Sequence, residues 1–286
     1  MSLRELLREQ KQRFEAAEIS GVDVELLLAH LLGVTRMELH AREFVLSSEQ
    51  QAEFHRLCKD RMDGIPTQYL TGRAPFRYLE FEVGPGVLIP RPETEMVVDA
   101  ALSEVKESSQ RLSIVDLGSG SGAIAISIAH EAKLMDKAVT VVAVEKEEAA
   151  LSWLHRNIAL HNSEIRVVAG DVSEALQGVK ADIVVANPPY IPNTSELPRL
   201  VADFEPPTAL FGGDGDGLEL PLRFLDAAAR ILKPGGLLVM EHFETQREAL
   251  ERHLVRAFEQ IRSFQDLNGR DRMITGRRSE EHTSEL

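Results

Sequence analysis

The chain has one cysteine, Cys58, in 286 residues. A single thiol excludes an internal disulfide and any cysteine-based metal cluster, and it predicts a protein of a reducing compartment, the cytoplasm. Basic residues are in deficit: 32 Lys and Arg stand against 46 Asp and Glu, a formal charge of -14. Such a chain lacks the basic stripe from which generic nucleic-acid binders draw phosphate-neutralising affinity, so direct nucleic-acid binding is not expected. No apolar run approaches the roughly 18 residues that a membrane span needs, and the opening MSLRELLREQKQRF has no apolar signal-peptide core. Membrane association is therefore not expected. The nine histidines show no metal-ligand spacing; His155 and His161, six apart on a predicted helix, fall on different faces, and no metal site is expected. The hydrophobic content of 43% does support a sizeable core at this length, enough for one large and one small domain.

Over residues 2–64 the apolar positions recur at three and four: Leu3, Leu6, Leu7 and Phe14, then Val24, Leu27, Leu28, Leu31 and Leu32. Asp23 is read as the cap of the second helix and Ser47 or Ser48 as that of the fourth. The pattern predicts a small helical bundle over residues 1–67. It is nearly balanced in charge, with 12 acids and 10 bases up to Pro75, so the acidity lies downstream. In residues 68–91 the period changes to two. Phe76 to Val83, then Gly84-Pro85-Gly86, then Val87-Leu88-Ile89, predict a hairpin linker that turns at the glycines. Residues 92–277 alternate short Val/Ile/Leu runs with helical patterns, which predicts a mostly parallel sheet buried on both faces, a doubly wound α/β domain. Seven such runs occur, from 112–117 to 272–275. Residues 278–286 (RSEEHTSEL) have no apolar periodicity and are similar to a sequencing-library adapter read in frame, so they are taken as a non-native tail.

Ligands of doubly wound sheets sit at the carboxyl ends of strands near the switch point. The first strand ends in Asp116-Leu117-Gly118-Ser119-Gly120-Ser121-Gly122 and runs into a helix. Glycines at alternate positions let the backbone turn tightly and approach a ligand, and the third arrives one residue early for a dinucleotide fingerprint, which suits a nucleoside lacking pyrophosphate. The second strand ends at Glu145, placed to accept ribose hydroxyls or, alternatively, to begin a solvated helix. Asp171 follows the third strand, either as acceptor for an adenine amine or as the cap of the next turn. The fourth strand ends in Asn187-Pro188-Pro189-Tyr190. Two prolines fix the exit and remove two donors, leaving carbonyls as acceptors; Asn187 adds a side-chain acceptor and Tyr190 a flat π surface. That set grips a planar NH2 group.

The glycine loop with Asn187-Pro188-Pro189-Tyr190 resembles the class I S-adenosylmethionine-dependent methyltransferases that alkylate amino nitrogens. With Gln68-Tyr69-Leu70-Thr71-Gly72, Ile89-Pro90-Arg91-Pro92-Glu93-Thr94-Glu95, Phe204-Glu205-Pro206 and Gly269-Arg270-Asp271-Arg272, the chain is similar more narrowly to the release factor glutamine methyltransferases (the PrmC/HemK family). The resemblance implies a seven-stranded class I methyltransferase domain and methylation of the glutamine amide nitrogen (N5) in the Gly-Gly-Gln loop of bacterial class I peptide chain release factors. It further implies S-adenosylmethionine contacts from Gly118, Ser119, Gly120, Ser121, Gly122, Glu145 and Asn187, to which Asp171 is added from its place after the third strand. Asn187, Pro188, Pro189 and Tyr190 would bind the target glutamine, with Asn187, Pro188 and Tyr190 catalytic, and the loop from Pro90 to Glu95 would wall the site. Ser119 and Glu145 depart from the Thr and Asp common in the family, and Val172 from an aromatic residue against the adenine. Two rival readings, an adenine-N6 methyltransferase and a non-catalytic release-factor-binding module, face the acidic charge and the intact Asn187 to Tyr190 set respectively.

Overall fold

The apolar spacing of the first third forms five helices: α1 (Leu3–Ala16), α2 (Gly21–Leu32), α3 (Arg36–Ala41), α4 (Ser48–Met62) and α5 (Thr67–Thr71). The computed structural model describes residues 3–213 and 215–280. Ser20, not Asp23, caps α2: its hydroxyl accepts the Val22 amide at 3.3 Å. Because the helix starts at Gly21, Asp23 falls in the first turn and pairs with Arg61 at 2.7 Å. Ser47 caps α4 in a reciprocal box with Gln50. Phe14, Leu27, Leu28 and Phe54 are fully buried and form the heart of this unit, with Leu57 and Cys58 packed beside them. Each buried side chain of this size contributes about 1.5–3 kcal/mol. The chain divides into two compact units, and this one extends to Arg73 and takes in Leu197–Phe204, with α9 (Arg199–Ala202).

The hairpin forms elsewhere than expected. Its strands are β1 (Arg73–Phe76) and β2 (Leu79–Glu82), and the turn is Arg77-Tyr78, while 87–89 form no strand. Tertiary anchoring overrides local turn chemistry here. Arg77 holds φ +52°, its amide donates to Glu95 at 2.9 Å, and its guanidinium bonds Glu131 and, at 2.8 Å, Asp99. Pro85 is held instead against a helix, its carbonyl accepting Trp153 Nε1 at 3.2 Å.

The second unit is the expected doubly wound sheet. Its strands are β3 (Leu112–Leu117), β4 (Val139–Glu145), β5 (Ile165–Ala169), β6 (Ala181–Ala186), β7 (Leu232–Glu241), β8 (Phe258–Gln265) and β9 (Asp271–Arg278). The order is β5-β4-β3-β6-β7-β9-β8, parallel except where β9 runs antiparallel to β7 and β8. The helices are α6 (Glu95–Glu107), α7 (Ala123–Leu134), α8 (Glu148–Leu160), α10 (Pro207–Leu210), α11 (Glu219–Ile231) and α12 (Arg247–Leu254). Val115, Leu117, Val184, Ala186, Leu238 and Met240 bury one face of the sheet with Phe224, Leu225 and Ala228 of α11. β3 pairs with β4 on one side and β6 on the other, so the chain reverses its winding at the β3–β6 boundary. Strand β9 continues through Arg278, whose guanidinium donates to the Ala229 and Ala257 carbonyls at 2.9 Å each. Residues 281–286 of the expected tail lie outside the described residues. Among the described residues no helix is long and apolar enough to cross a membrane.

Candidate active site

Register brings the strand ends together. Leu117 pairs with Val144 on one side and Ala186 on the other, so the glycine loop, Glu145 and Asn187 emerge side by side at the switch point. Gly118, Gly120 and Gly122 take φ of +70°, +54° and +84°, a left-handed path that side chains resist. The loop is also tight, since a Cβ on Gly118 would lie 3.0 Å from the Phe224 ring. Gly118, Ser119, Gly120 and Ser121 line a cavity, joined by Ala123 and Ile124 at the start of α7. No side chain caps that helix.

Glu145 lines the same cavity, 7% exposed, and braces the loop, a role the sequence did not reveal. Its Oε2 accepts the Gly120 amide at 2.8 Å, and its Oε1 accepts the amides of Lys146 at 2.8 Å and Glu147 at 2.9 Å. Asp171 also lines the cavity, and the capping alternative is present in the structure. It accepts the Ser173 amide at 3.0 Å and Arg223 Nη2 at 3.0 Å, and the Ser173 bond holds its carboxyl below the usual range despite burial. Val172 contributes an apolar patch beside it.

Asp116, at the foot of the loop, is 0% exposed and does not line the cavity, and among the described residues no hydrogen bond of ordinary geometry reaches its carboxylate oxygens. The nearby Ser119 hydroxyl instead donates to the Asp116 backbone carbonyl at 3.0 Å. Burial pushes the Asp116 carboxyl up to about 7, and the nearby Glu145 charge adds to the rise.

The Asn187 to Tyr190 set divides. Asn187 and Pro189 line the cavity, Pro188 is buried, and Tyr190 is half-buried without reaching the lining. Tyr190 directs its hydroxyl to Glu241 at 2.7 Å, and its ring lies 6.3 Å from that of Phe243. Thr94 donates to the other Glu241 oxygen at 2.7 Å and receives Asn187 Nδ2 at 3.1 Å. Burial raises the Glu241 carboxyl, opposed by these two hydroxyls, and burial together with Glu241 raises the Tyr190 phenol well above its ordinary value. Pro90, Arg91 and Thr94, with Pro206 and Thr208, also line the cavity. Glu205, 3% exposed, ties the two wall segments together, accepting the Ile89 amide at 3.0 Å and the Arg91 guanidinium. Thr94 and Glu241 escaped the residue-by-residue reading. The available signal for Glu241 was an acid at the end of an apolar strand, the same signal that singled out Glu145.

The PrmC N-terminal domain family matches residues 5–72, and the methyltransferase small domain family matches residues 97–204. The release factor glutamine methyltransferase of Moorella thermoacetica is 40% identical over 291 residues, covering 98% of this chain and all of that one. That of Streptomyces coelicolor is 39% identical, covering 96% of this chain and 98% of its own. Among solved structures, a protein from Listeria monocytogenes described as a class I S-adenosylmethionine-dependent methyltransferase covers 99% of this chain and 90% of its own. It does so at a TM-score of 0.52 and 14% identity, and so speaks for the fold alone. With both parts matched and relatives aligned nearly end to end, the chain belongs to the release factor glutamine methyltransferases, enzymes of the class I S-adenosylmethionine-dependent fold.

Proposed function

We propose that the chain methylates the side-chain amide nitrogen of the glutamine in the Gly-Gly-Gln loop of bacterial class I release factors, in the cytoplasm. The observation that carries the reading is Asn187, whose side chain enters the cavity shared with the glycine loop while its Nδ2 is engaged by Thr94. An amide nitrogen is a poor nucleophile because its lone pair is delocalised into the carbonyl. The Asn187 Oδ1 and the Pro188 carbonyl each accept one N–H of the target amide, so the lone pair is freed from the plane and aimed into the cavity. Pro189, which lines the cavity, excludes water, and Tyr190 supports the segment from behind through its bond to Glu241. The alkylated nitrogen is cationic and acidic and gives its proton to solvent water as the product leaves, so no dedicated base is needed. The near-neutral bundle of residues 1–67 is the docking module for the protein substrate, and no nucleic acid takes part.

When bound, S-adenosylmethionine supplies an electrophilic methyl group on a sulfonium. The residues present fit it. Gly118, Ser119, Gly120 and Ser121 permit its close approach, while Gly122 turns the loop behind them against Leu154 and Ile126; Asn187 contacts it from the transfer side, and Val172 with Asp171 faces the adenine. Glu145 already accepts three amides at about four lone-pair positions, so it has room for one ribose hydroxyl.

The test is incubation with labelled S-adenosylmethionine and purified release factor, followed by mass spectrometry of the tryptic peptides. One methyl group on the Gly-Gly-Gln glutamine is expected. Label confined to nucleic acid, or no label in the release factor, overturns the reading.

Asp116 gives a second prediction. Its folded pKa of about 7 lies above the ordinary aspartate value near 3.9. Between those values the folded chain holds a proton that the unfolded chain has released, so stability is highest at low pH and falls as pH rises through the window. Without cofactor, Asp116→Asn is therefore expected to melt above wild type by a margin that widens from pH 5 to pH 7.5. A melting difference independent of pH counts against the burial argument.

A further inference from the structure

Glu241 closes β7 and has been given no contact with cofactor or substrate. Met240 pairs with Ala186 across β6 and β7, which sets Glu241 beside Asn187. Its carboxylate is 1% exposed, and both its hydrogen bonds come from hydroxyls: Thr94 at Oε2 and Tyr190 at Oε1. A threonine hydroxyl has one proton. With that proton committed to Glu241, the Thr94 oxygen has only acceptor capacity left for Asn187. An asparagine amide satisfies it with Nδ2 alone, at 3.1 Å. The other end of the amide, Oδ1, is then the end left for the cavity.

We infer that Glu241, acting through Thr94, is a positioning residue that fixes which end of the Asn187 amide faces the substrate. The assignment rests on the proposed amide methylation, for which Oδ1 must be the presented group. An asparagine turned over by 180° has the same shape and packs equally well, but it offers NH2 to the substrate NH2, two donors face to face. Packing therefore cannot choose the working orientation, and an acceptor oxygen that takes the Thr94 proton can. Asn187→Thr94→Glu241 is a one-way chain of donors, anchored on a group that only accepts while it is ionised. Tyr190 leans on the second oxygen of the same carboxylate, so one buried acid orders both polar side chains of the Asn187 to Tyr190 set. Neither Thr94 nor Glu241 need touch the reacting atoms.

Three variants test this in the full chain. Thr94→Val keeps the shape and removes the hydroxyl; Thr94→Ser keeps the hydroxyl; Glu241→Gln keeps the shape and offers Thr94 a donor, which lets the hydroxyl turn and the Asn187 amide flip. Single-turnover methylation of release factor, cofactor affinity by calorimetry, and melting temperature are measured for each. Thr94→Val and Glu241→Gln are expected to slow the methylation step about 10- to 100-fold, with KM for release factor and cofactor affinity within about threefold of wild type. Thr94→Ser is expected to stay within about threefold of the wild-type rate. The double variant Thr94→Val with Glu241→Gln is expected to be no slower than the worse single variant, because both break one relay. A near-wild-type rate in Thr94→Val, or multiplying losses in the double variant, overturns the relay. Should Thr94→Val fail to fold, Thr94→Ala removes the hydroxyl with no added atoms and is read the same way. A wild-type chain that leaves release factor unlabelled sinks the proposed function instead, so the two failures are distinct.

Discussion

Asn187→Ala is expected to lower the single-turnover methylation rate about a hundred- to a thousandfold, with S-adenosylmethionine affinity changed by no more than about fivefold. The effect is large because the acceptor acts on a resonance-stabilised nitrogen. Without it one N–H of the target amide is left unpaired in a site shielded from water, and the lone pair stays in the amide plane. The cofactor loses one contact among many, which accounts for the modest change in affinity. Asn187→Asp is expected to fare no better. It retains an acceptor, but it has no N–H for the Thr94 oxygen and adds a second carboxylate near the buried Glu241. Rapid-quench measurement with labelled cofactor decides, and a rate within tenfold of wild type in Asn187→Ala removes the amide-activation account.

The part of this site that was legible in the sequence is the part that is local. The glycine loop announces itself because three glycines in five residues leave a strand and enter a helix, and that local path demands left-handed φ at each. Asn187-Pro188-Pro189-Tyr190 is legible for the same reason, as an apolar strand followed by an exit stripped of donors. Parallel strands buried on both faces read as unbroken apolar runs, so the central strands β3, β4 and β6 could be placed before any register was known. What remained hidden is what the register creates. Asn187 and Thr94 are 93 residues apart, Thr94 and Glu241 are 147, and Ile89 and Glu205 are 116. No spacing rule spans such distances, and the short patterns around Thr94 and Glu205 became informative only as part of a family resemblance. The hairpin shows the converse failure. Gly84-Pro85-Gly86 carries stronger turn chemistry than Arg77-Tyr78, but local propensity is decided against by the Glu131, Asp99 and Glu95 contacts of Arg77. Asp23 failed more simply: Ser20, three residues earlier, had already begun the helix.

Gly217→Ala is expected to reduce methylation at least about a hundredfold without entering the cavity. Gly217 takes φ +71°, and a Cβ there would meet backbone rather than a yielding side chain: the Tyr190 carbonyl at 2.6 Å, and Ile191 C and Pro192 N at 2.8 Å. Those atoms are the direct continuation of Asn187-Pro188-Pro189. They cannot drift away freely, because Gln246 Nε2 holds the Tyr190 carbonyl at 2.9 Å, and Ile191 exchanges backbone bonds with Leu210 and Gly212. The methyl group is accommodated only by moving the Tyr190–Pro192 backbone, and a shift near 1 Å in a positioning segment is enough for about a hundredfold loss. Backbone strain must be separated from displacement, and Gly178 supplies the control. It has φ +73°, and a Cβ there meets nothing within 4 Å. Gly178→Ala therefore carries the same left-handed penalty, about 1–2 kcal/mol, without the collision. Both variants are expected to melt below wild type, and only Gly217→Ala to lose the methylation step. Equal activity losses in the two would show that strain alone is responsible, and full activity in Gly217→Ala would show that the exit of the Asn187 to Tyr190 segment tolerates movement that the proposed mechanism forbids.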